Sequence, residues 1–245
     1  MKPTAIVVGV GAGLGLGAAL CRRFAAGGYH VFVAGRTAAK IEAVAKTITA
    51  ADGSAEPVVT DTTNEADVVR LFELAMAPGQ ARTPADLVAF NAGNNRRIDF
   101  RDLTAAQFEE FWRIGCFGGF LVGREAARRL VPLGRGTVFF TGASGSLRGK
   151  PGFAQFAAAK AGLRMIAQSM AREYGPQGIH VAHVVIDGGI DGEKLRGARP
   201  DATRQRGEDG MLNIEAIAET YWQIHRQHRS AWTHEVDLRP FKEQF

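Results

Sequence analysis

Five of the nine residues from Gly9 to Gly17 are glycine, and the cluster sits between a β-branched run, Ala5–Val8, and a helical pattern, Leu16–Ala26. A strand that passes through a glycine turn into a helix is a narrow specification. It lets backbone N–H groups approach whatever fills the turn, and the helix N-terminus behind them favours negative charge. The spacing Gly-x-x-x-Gly-x-Gly fits in two registers, Gly9/Gly13/Gly15 or Gly11/Gly15/Gly17. Taken alone, the turn leaves a dinucleotide, S-adenosylmethionine and simple close packing all open.

The rest of the chain repeats the alternation. Strand-like runs fall at Ala5–Val8, Tyr29–Ala34, Glu56–Thr60, Asp86–Phe90, Gly136–Thr141, Ile179–Val185 and Trp232–Val236. Helical patterns fall between them at Leu16–Ala26, Ala38–Ala50, Glu65–Met76, Ala105–Val131, Phe153–Tyr174 and Ile214–His228. Short strands alternating with longer helices predict βαβ units with right-handed crossovers. The expected fold is a single α/β domain over residues 1–245. It is a Rossmann-type, doubly wound parallel sheet of about seven strands with helices on both faces. The polar stretch from Gly192 to Gly210 is longer than most connections and reads as a mobile substrate lid.

Composition narrows the function classes. No stretch approaches the 18 apolar residues of a membrane span. The two cysteines, Cys21 and Cys116, make no disulfide framework and read as buried packing residues in a reducing compartment. The N-terminus reaches Gly9 too soon for a signal-peptide core, so a cytoplasmic location is expected. A formal charge of +5 raises the question of nucleic acid, yet the basic residues form scattered pairs such as Arg22-Arg23, Arg96-Arg97 and Arg128-Arg129. The richest stretch, Lys194 to Arg206, lacks aromatics for base stacking and is flanked by Glu193, Glu208 and Asp209. Neither a nucleic-acid nor a membrane partner is expected, although a modest preference for anionic small molecules remains. The histidines show no metal-ligand spacing with the cysteines, so no metal site is expected, and His183 reads as a satisfied core or edge histidine.

The second strand ends Val33-Ala34-Gly35-Arg36, placing Arg36 nineteen residues after Gly17. In dinucleotide folds an acidic side chain near this distance binds the adenosine ribose and repels a 2′-phosphate. An arginine there pairs bidentately with that phosphate, which points to NADP(H).

Together these features resemble the short-chain dehydrogenase/reductase family, and the resemblance runs across nearly the whole chain. Gly11-Ala12-Gly13-Leu14-Gly15-Leu16-Gly17 is similar to the family's glycine turn, with Val10 in place of a threonine. Asp61-Thr62 is similar to its pair at the adenine ring, and Asn91-Ala92-Gly93 matches its Asn-Ala-Gly turn. The segment from Gly136 to Val181 follows the family's most characteristic stretch without a gap. The resemblance implies cofactor contacts at Gly11, Gly15, Leu16, Arg36, Asp61, Thr62, Asn91, Ala92, Gly93, Lys160 and Ile190. It also implies a homodimer or homotetramer through helices Ala105–Val131 and Phe153–Tyr174.

The family's chemistry is hydride transfer between a nicotinamide and a carbonyl or alcohol. A tyrosine in Tyr-x-x-x-Lys exchanges the proton, aided by the lysine, a serine and an asparagine. Here the motif reads Phe156-Ala157-Ala158-Ala159-Lys160. Lys160 is retained as the catalytic lysine, but Phe156 stands at the tyrosine position and Ala143, thirteen residues earlier, at the serine position. Gly115 stands at the asparagine position, and Ile186-Asp187-Gly188-Gly189-Ile190-Asp191 replaces a Pro-Gly loop. Phenylalanine keeps the ring's volume while removing the exchangeable proton. Ser144, Ser146, Asp187 and ordered water are the candidate substitute donors, and a buried Asp187 with a raised pKa could donate a proton. The expectation is an NADP(H)-binding oxidoreductase with an atypical proton relay, acting on a small carbonyl, alcohol or enone. Its alternative is a catalytically degenerate dinucleotide-binding protein.

Overall fold

The computed structural model describes residues 1–77, 81–198 and 200–243. Seven parallel strands form its main sheet: β1 (Lys2–Val8), β2 (His30–Gly35), β3 (Ser54–Val59), β4 (Arg82–Phe90), β5 (Gly136–Thr141), β6 (Ile179–Ile186) and, after a pair of short strands, β9 (Glu235–Leu238). The order across the sheet is β3-β2-β1-β4-β5-β6-β9, so the chain starts in the middle and winds outward in both directions.

Side-chain alternation along β1 explains why the run is continuously apolar. Ala5 and Val7 enter one core, and Ile6 and Val8 enter the other. Helices α1 (Leu16–Ala26), α2 (Ala38–Ala50) and α9 (Ile214–His225) supply the first core. Helices α3 (Glu65–Met76), α5 (Gly118–Leu130) and α6 (Ala154–Tyr174) supply the second. Among the described residues, no helix is long and apolar enough to cross a membrane.

Three elements differ from the sequence expectation. The helix expected over Ala105–Val131 is two helices, α4 (Ala105–Trp112) and α5, joined by a π-helical turn at Arg113–Phe117. This stretch packs closely against α6. A Cβ on Gly115 would come within 3.0 Å of Ala159 Cβ, and one on Gly119 within 2.2 Å of Leu163 Cδ1. Such a turn absorbs one extra residue while letting both helices stay packed.

The stretch 192–210, expected as an irregular loop, carries two short helices, α7 (Glu193–Ala198) and α8 (Pro200–Arg206). Arg199, within it, lies outside the described residues. These helices are highly charged and mostly exposed, so no apolar period announced them. They lie between the two-residue strands β7 (Ile190–Asp191) and β8 (Leu212–Asn213), which pair with each other. The last strand is shifted toward the C-terminus of the expected Trp232–Val236. Trp232 instead stacks on His180 at 4.7 Å, before the ladder begins at Glu235.

Where the winding direction reverses, β1 and β4 run side by side and their exits nearly touch. Gly9 adopts φ +84°, and a Cβ there would fall 2.4 Å from Ala92 N. The neighbour is backbone and cannot yield. Gly9→Ala is therefore expected to destabilise the fold by about 3 kcal/mol, from strain and overpacking together. Gly11 has open space where its Cβ would be, and Gly11→Ala should change stability by less than about 0.5 kcal/mol. Urea unfolding of the two variants checks the contrast.

Candidate active site

The reversal between β1 and β4 opens a crevice at the carboxyl ends of the strands, where open α/β sheets hold their ligands. The glycine turn forms its floor. A Cβ on Gly17 would lie 3.1 Å from Gly9 O and from Val10 Cα, and 3.2 Å from Asn91 Nδ2. Gly17 is thus the close-packing glycine, whereas Gly11 and Gly13 face open space. This arrangement is compatible with the register Gly11/Gly15/Gly17. Helix α1 starts after Gly15 with no side-chain cap and no acidic residue in its first turn. Its leading N–H groups are left for an anion. The Leu16 side chain is buried in the core, which leaves only its backbone N–H for the groove. An open, uncapped cradle of this kind fits a pyrophosphate.

At one end of the crevice, Arg36 is exposed just after β2 and lines a groove of about 310 Å³ with Thr63, Arg113 and Ile114. Among the described residues Arg36 makes no ion pair. Asp61 stabilises the turn beside it. Its Oδ1 accepts from Thr63 N at 2.9 Å and from Thr63 Oγ1 at 2.8 Å. Thr62 is buried, with its hydroxyl turned toward the start of α5 at Gly118. Its backbone is therefore what it can offer a ligand.

At the other end, Asn91 N donates to Val8 O, Ala92 is buried over Gly9, and Gly93 is exposed above Lys160. Lys160 Nζ sits 3.2 Å from where a Gly93 Cβ would be and donates to Thr141 O at 2.7 Å. Burial disfavours its ammonium form and lowers its pKa to about 8. Ile190 is partly buried, and the chain just after it closes on the glycine turn through a hydrogen bond from Glu193 N to Leu14 O, 3.0 Å. Lys160 and Ile190, distant in sequence, thus join the crevice that Gly11 and Gly15 begin.

Beside this end lies a cavity of about 350 Å³ that includes Ser144, Phe156, Asp187, Leu195 and Met211 in its lining. The Phe156 ring packs on Gly145. Gly115, in the π turn, faces α6 at Ala159, one residue before Lys160. The candidate donors separate by direction. Ser144 faces the cavity. Asp187 is buried with both oxygens held by Arg148 Nη2, at 3.1 and 2.8 Å, and with Arg239 at 3.3 Å. For Asp187 to deliver a proton, an ion pair would first have to break.

Ser146 turns inward. Its Oγ accepts from Ala143 N at 3.1 Å and lies 3.3 Å from His183 Nε2. His183 Nδ1 lies 2.9 Å from Glu235 Oε2, and Arg164 donates to both Glu235 oxygens at 2.7 Å. The carboxylate places the imidazole proton on Nδ1, so Nε2 accepts from the serine hydroxyl. His183 is fully buried, and desolvation lowers its pKa to about 4, so the ring is neutral. It is the satisfied core histidine expected, but its network was not visible in the sequence. The four residues come from four separate segments that only the sheet register brings together. Their chain, from α6 through β6 and β9, anchors the turn at Ala143–Gly145 that floors the cavity.

Lys160 also yields a pH signature. Below pH 8 the folded chain must hold a charge that the unfolded chain holds freely up to about pH 10.5. The unfolded state therefore binds more protons between these values, and stability rises with pH across that window. Relative to Lys160→Met, the cofactor-free protein should gain roughly 3 kcal/mol between pH 7.5 and 10.5, read as the difference between their urea unfolding curves.

Comparison with known proteins agrees with this geometry. A family model described as short chain dehydrogenase matches residues 4–201. The chain is 32% identical over 200 residues to an uncharacterized oxidoreductase, YuxG, of Bacillus subtilis (strain 168), covering 80% of this chain and 28% of that protein. It is 30% identical over 186 residues to the glucose 1-dehydrogenase of Gluconobacter oxydans (strain 621H), covering 75% of this chain and 68% of the other. The chain thus spans under a third of the Bacillus protein, and 66% of each of three further relatives. Among solved structures, a short-chain dehydrogenase from Rhodopseudomonas palustris superposes with a TM-score of 0.82 at 37% identity, over 98% of this chain and 100% of that one. With its family model matched along most of its length and its sheet and lysine arranged as described, the chain belongs to the short-chain dehydrogenase family.

Proposed function

We propose that this chain is an NADP(H)-dependent oxidoreductase in which the proton does not come from the residue at position 156. The observation that carries the reading is that Arg36 follows β2, the glycine turn follows β1, Asn91–Gly93 follows β4 and Lys160 sits on the last carbonyl of β5, four strand exits that lie side by side in the order β2-β1-β4-β5. When bound, the cofactor would supply or accept the hydride. Everything else falls to the chain. The Arg36 guanidinium would pair with the 2′-phosphate, and the N–H groups at the start of α1 would hold the pyrophosphate. Asp61 and Thr62 would border the adenine, and Asn91, Ala92, Gly93 and Ile190 the nicotinamide side. Lys160 would donate to the ribose hydroxyls.

Phe156 is apolar and cannot protonate a substrate oxygen. Ser144 is the hydroxyl best placed to orient that oxygen, with water completing proton delivery. Lost general acid catalysis typically costs roughly 10²–10⁴-fold, so slow carbonyl reduction, or a substrate needing little proton assistance, is the consistent activity. Residues 192–210 act as the lid: α7 and α8 carry Leu195 and Arg206 into the cavity wall. Self-association through α4, α5 and α6 completes the proposal, since Phe108, Trp112, Phe120 and Met165 are exposed on these helices.

NADPH fluorescence titration tests the cofactor reading. Arg36→Gln should weaken NADPH binding by about 10–100-fold, matching the loss of a charged bidentate contact, and leave NADH nearly unchanged. Equal loss for both nucleotides would count against 2′-phosphate recognition. Turnover on a panel of carbonyls and enones then tests the chemistry. Ala143→Ser combined with Phe156→Tyr should raise carbonyl reduction by about 10²-fold or more. Tight NADPH binding with no turnover, before and after that change, would favour the alternative of a dinucleotide-binding protein without catalysis.

A further inference from the structure

The cavity beside Lys160 has a charge pattern that the hydride chemistry does not require. Its wall combines apolar Phe153, Phe156, Leu195 and Met211 with cationic Arg148, Lys150 and Arg206. Its two acidic members are already engaged: Asp187 by Arg148 and Arg239, and Glu243 by Arg206 at 2.9 Å. Lys150 makes no ion pair among the described residues and is exposed. Arg97 packs across Gly152, the residue before Phe153. Both wall guanidiniums also keep donors to offer. Arg148 contacts Asp187 through Nη2 alone, and Arg206 contacts Glu243 through Nη1 alone. Cationic donors beside an apolar wall, in a concavity with reduced solvent, concentrate positive potential where an anion would sit.

We infer that this cavity takes a ligand with an apolar body and a carboxylate or phosphate group, the anion being held by Lys150, Arg148 and Arg206. The inference rests on the cavity's being the substrate site of the proposed oxidoreductase, and it adds the substrate's charge. Arg206 comes from α8, within the segment read as the lid. An anionic substrate would therefore draw that segment onto itself, whereas a neutral one would not. Recognition through an exposed lysine and two guanidiniums is screened by salt, so affinity should fall as ionic strength rises.

The test uses three probes of one shape: phenylacetate, phenyl phosphate and neutral phenylacetamide. Binding to the intact, cofactor-free chain is measured by calorimetry at low salt, with NADPH titrated in parallel into the same preparations. At least one anion should bind about tenfold more tightly than phenylacetamide, consistent with a charge-assisted contact. Whichever anion prevails distinguishes a carboxylate from a phosphate. Lys150→Met should reduce that binding about five- to tenfold and leave NADPH affinity unchanged, and Arg206→Gln should act in the same direction. Equal affinity for phenylacetamide, or anion binding unaffected by both substitutions, would overturn the inference. Anion preference without any NADPH binding would leave this site standing and overturn the dinucleotide reading. NADPH binding without anion preference would do the reverse.

Discussion

The backbone contact between Gly9 and Ala92 is the constraint on which the remaining architecture turns. At the point where the sheet changes winding direction, β1 and β4 leave side by side, and the absence of one Cβ lets the glycine turn lie against the Asn91–Gly93 turn. Gly17 repeats the arrangement one layer out, allowing α1 to start close above the strand ends. A larger side chain at either place would push the helix N-terminus away from the strand ends. The crevice is therefore a consequence of backbone packing, and the side chains lining it are added to a shape already set.

Charge is distributed around this frame in two different ways. Lys160 is buried with one carbonyl partner, so its protonation is sensitive to surroundings. Arg164, Glu235, His183 and Ser146 instead form a closed chain in which each charged or polar group has a partner. The second arrangement suits a rigid support, because a satisfied buried network resists rearrangement. Its end point, the turn at Ala143–Gly145, faces Phe156. The oxidoreductase scaffold thus keeps a firmly held floor under a position whose ring cannot exchange a proton.

Much of the fold was legible. α1, α2 and α3 occupy the spans that their periodicity predicts, and the strands from β1 to β6 follow their apolar runs within a few residues. These elements announced themselves because one face or both had to be apolar. Where burial was not periodic, the sequence was silent. α7 and α8 are surface helices with no apolar stripe, and the π turn at Arg113–Phe117 lies against α6, a neighbour which no local window contains. β9 is a half-buried edge strand, so its boundary depended on register with β6.

The site divides along the same line. Glycine spacing, Arg36, Asn91-Ala92-Gly93 and the Phe156–Lys160 motif could be read in order, because each depends on local backbone geometry or on residue identity at a fixed spacing. Direction could not. Ser144 and Ser146 are two residues apart and equally plausible on paper, yet one faces the cavity and the other is held by His183. Asp187 is a lone acid in the sequence and an ion-paired one in space, because Arg148 and Arg239 converge on it from separate loops. The sequence by itself determined the fold class, the glycine turn after the first strand and the absence of a tyrosine at position 156. Only the tertiary structure decided which polar groups face the cavity and with what charge, since partners across a parallel sheet are set by register between segments far apart in the chain.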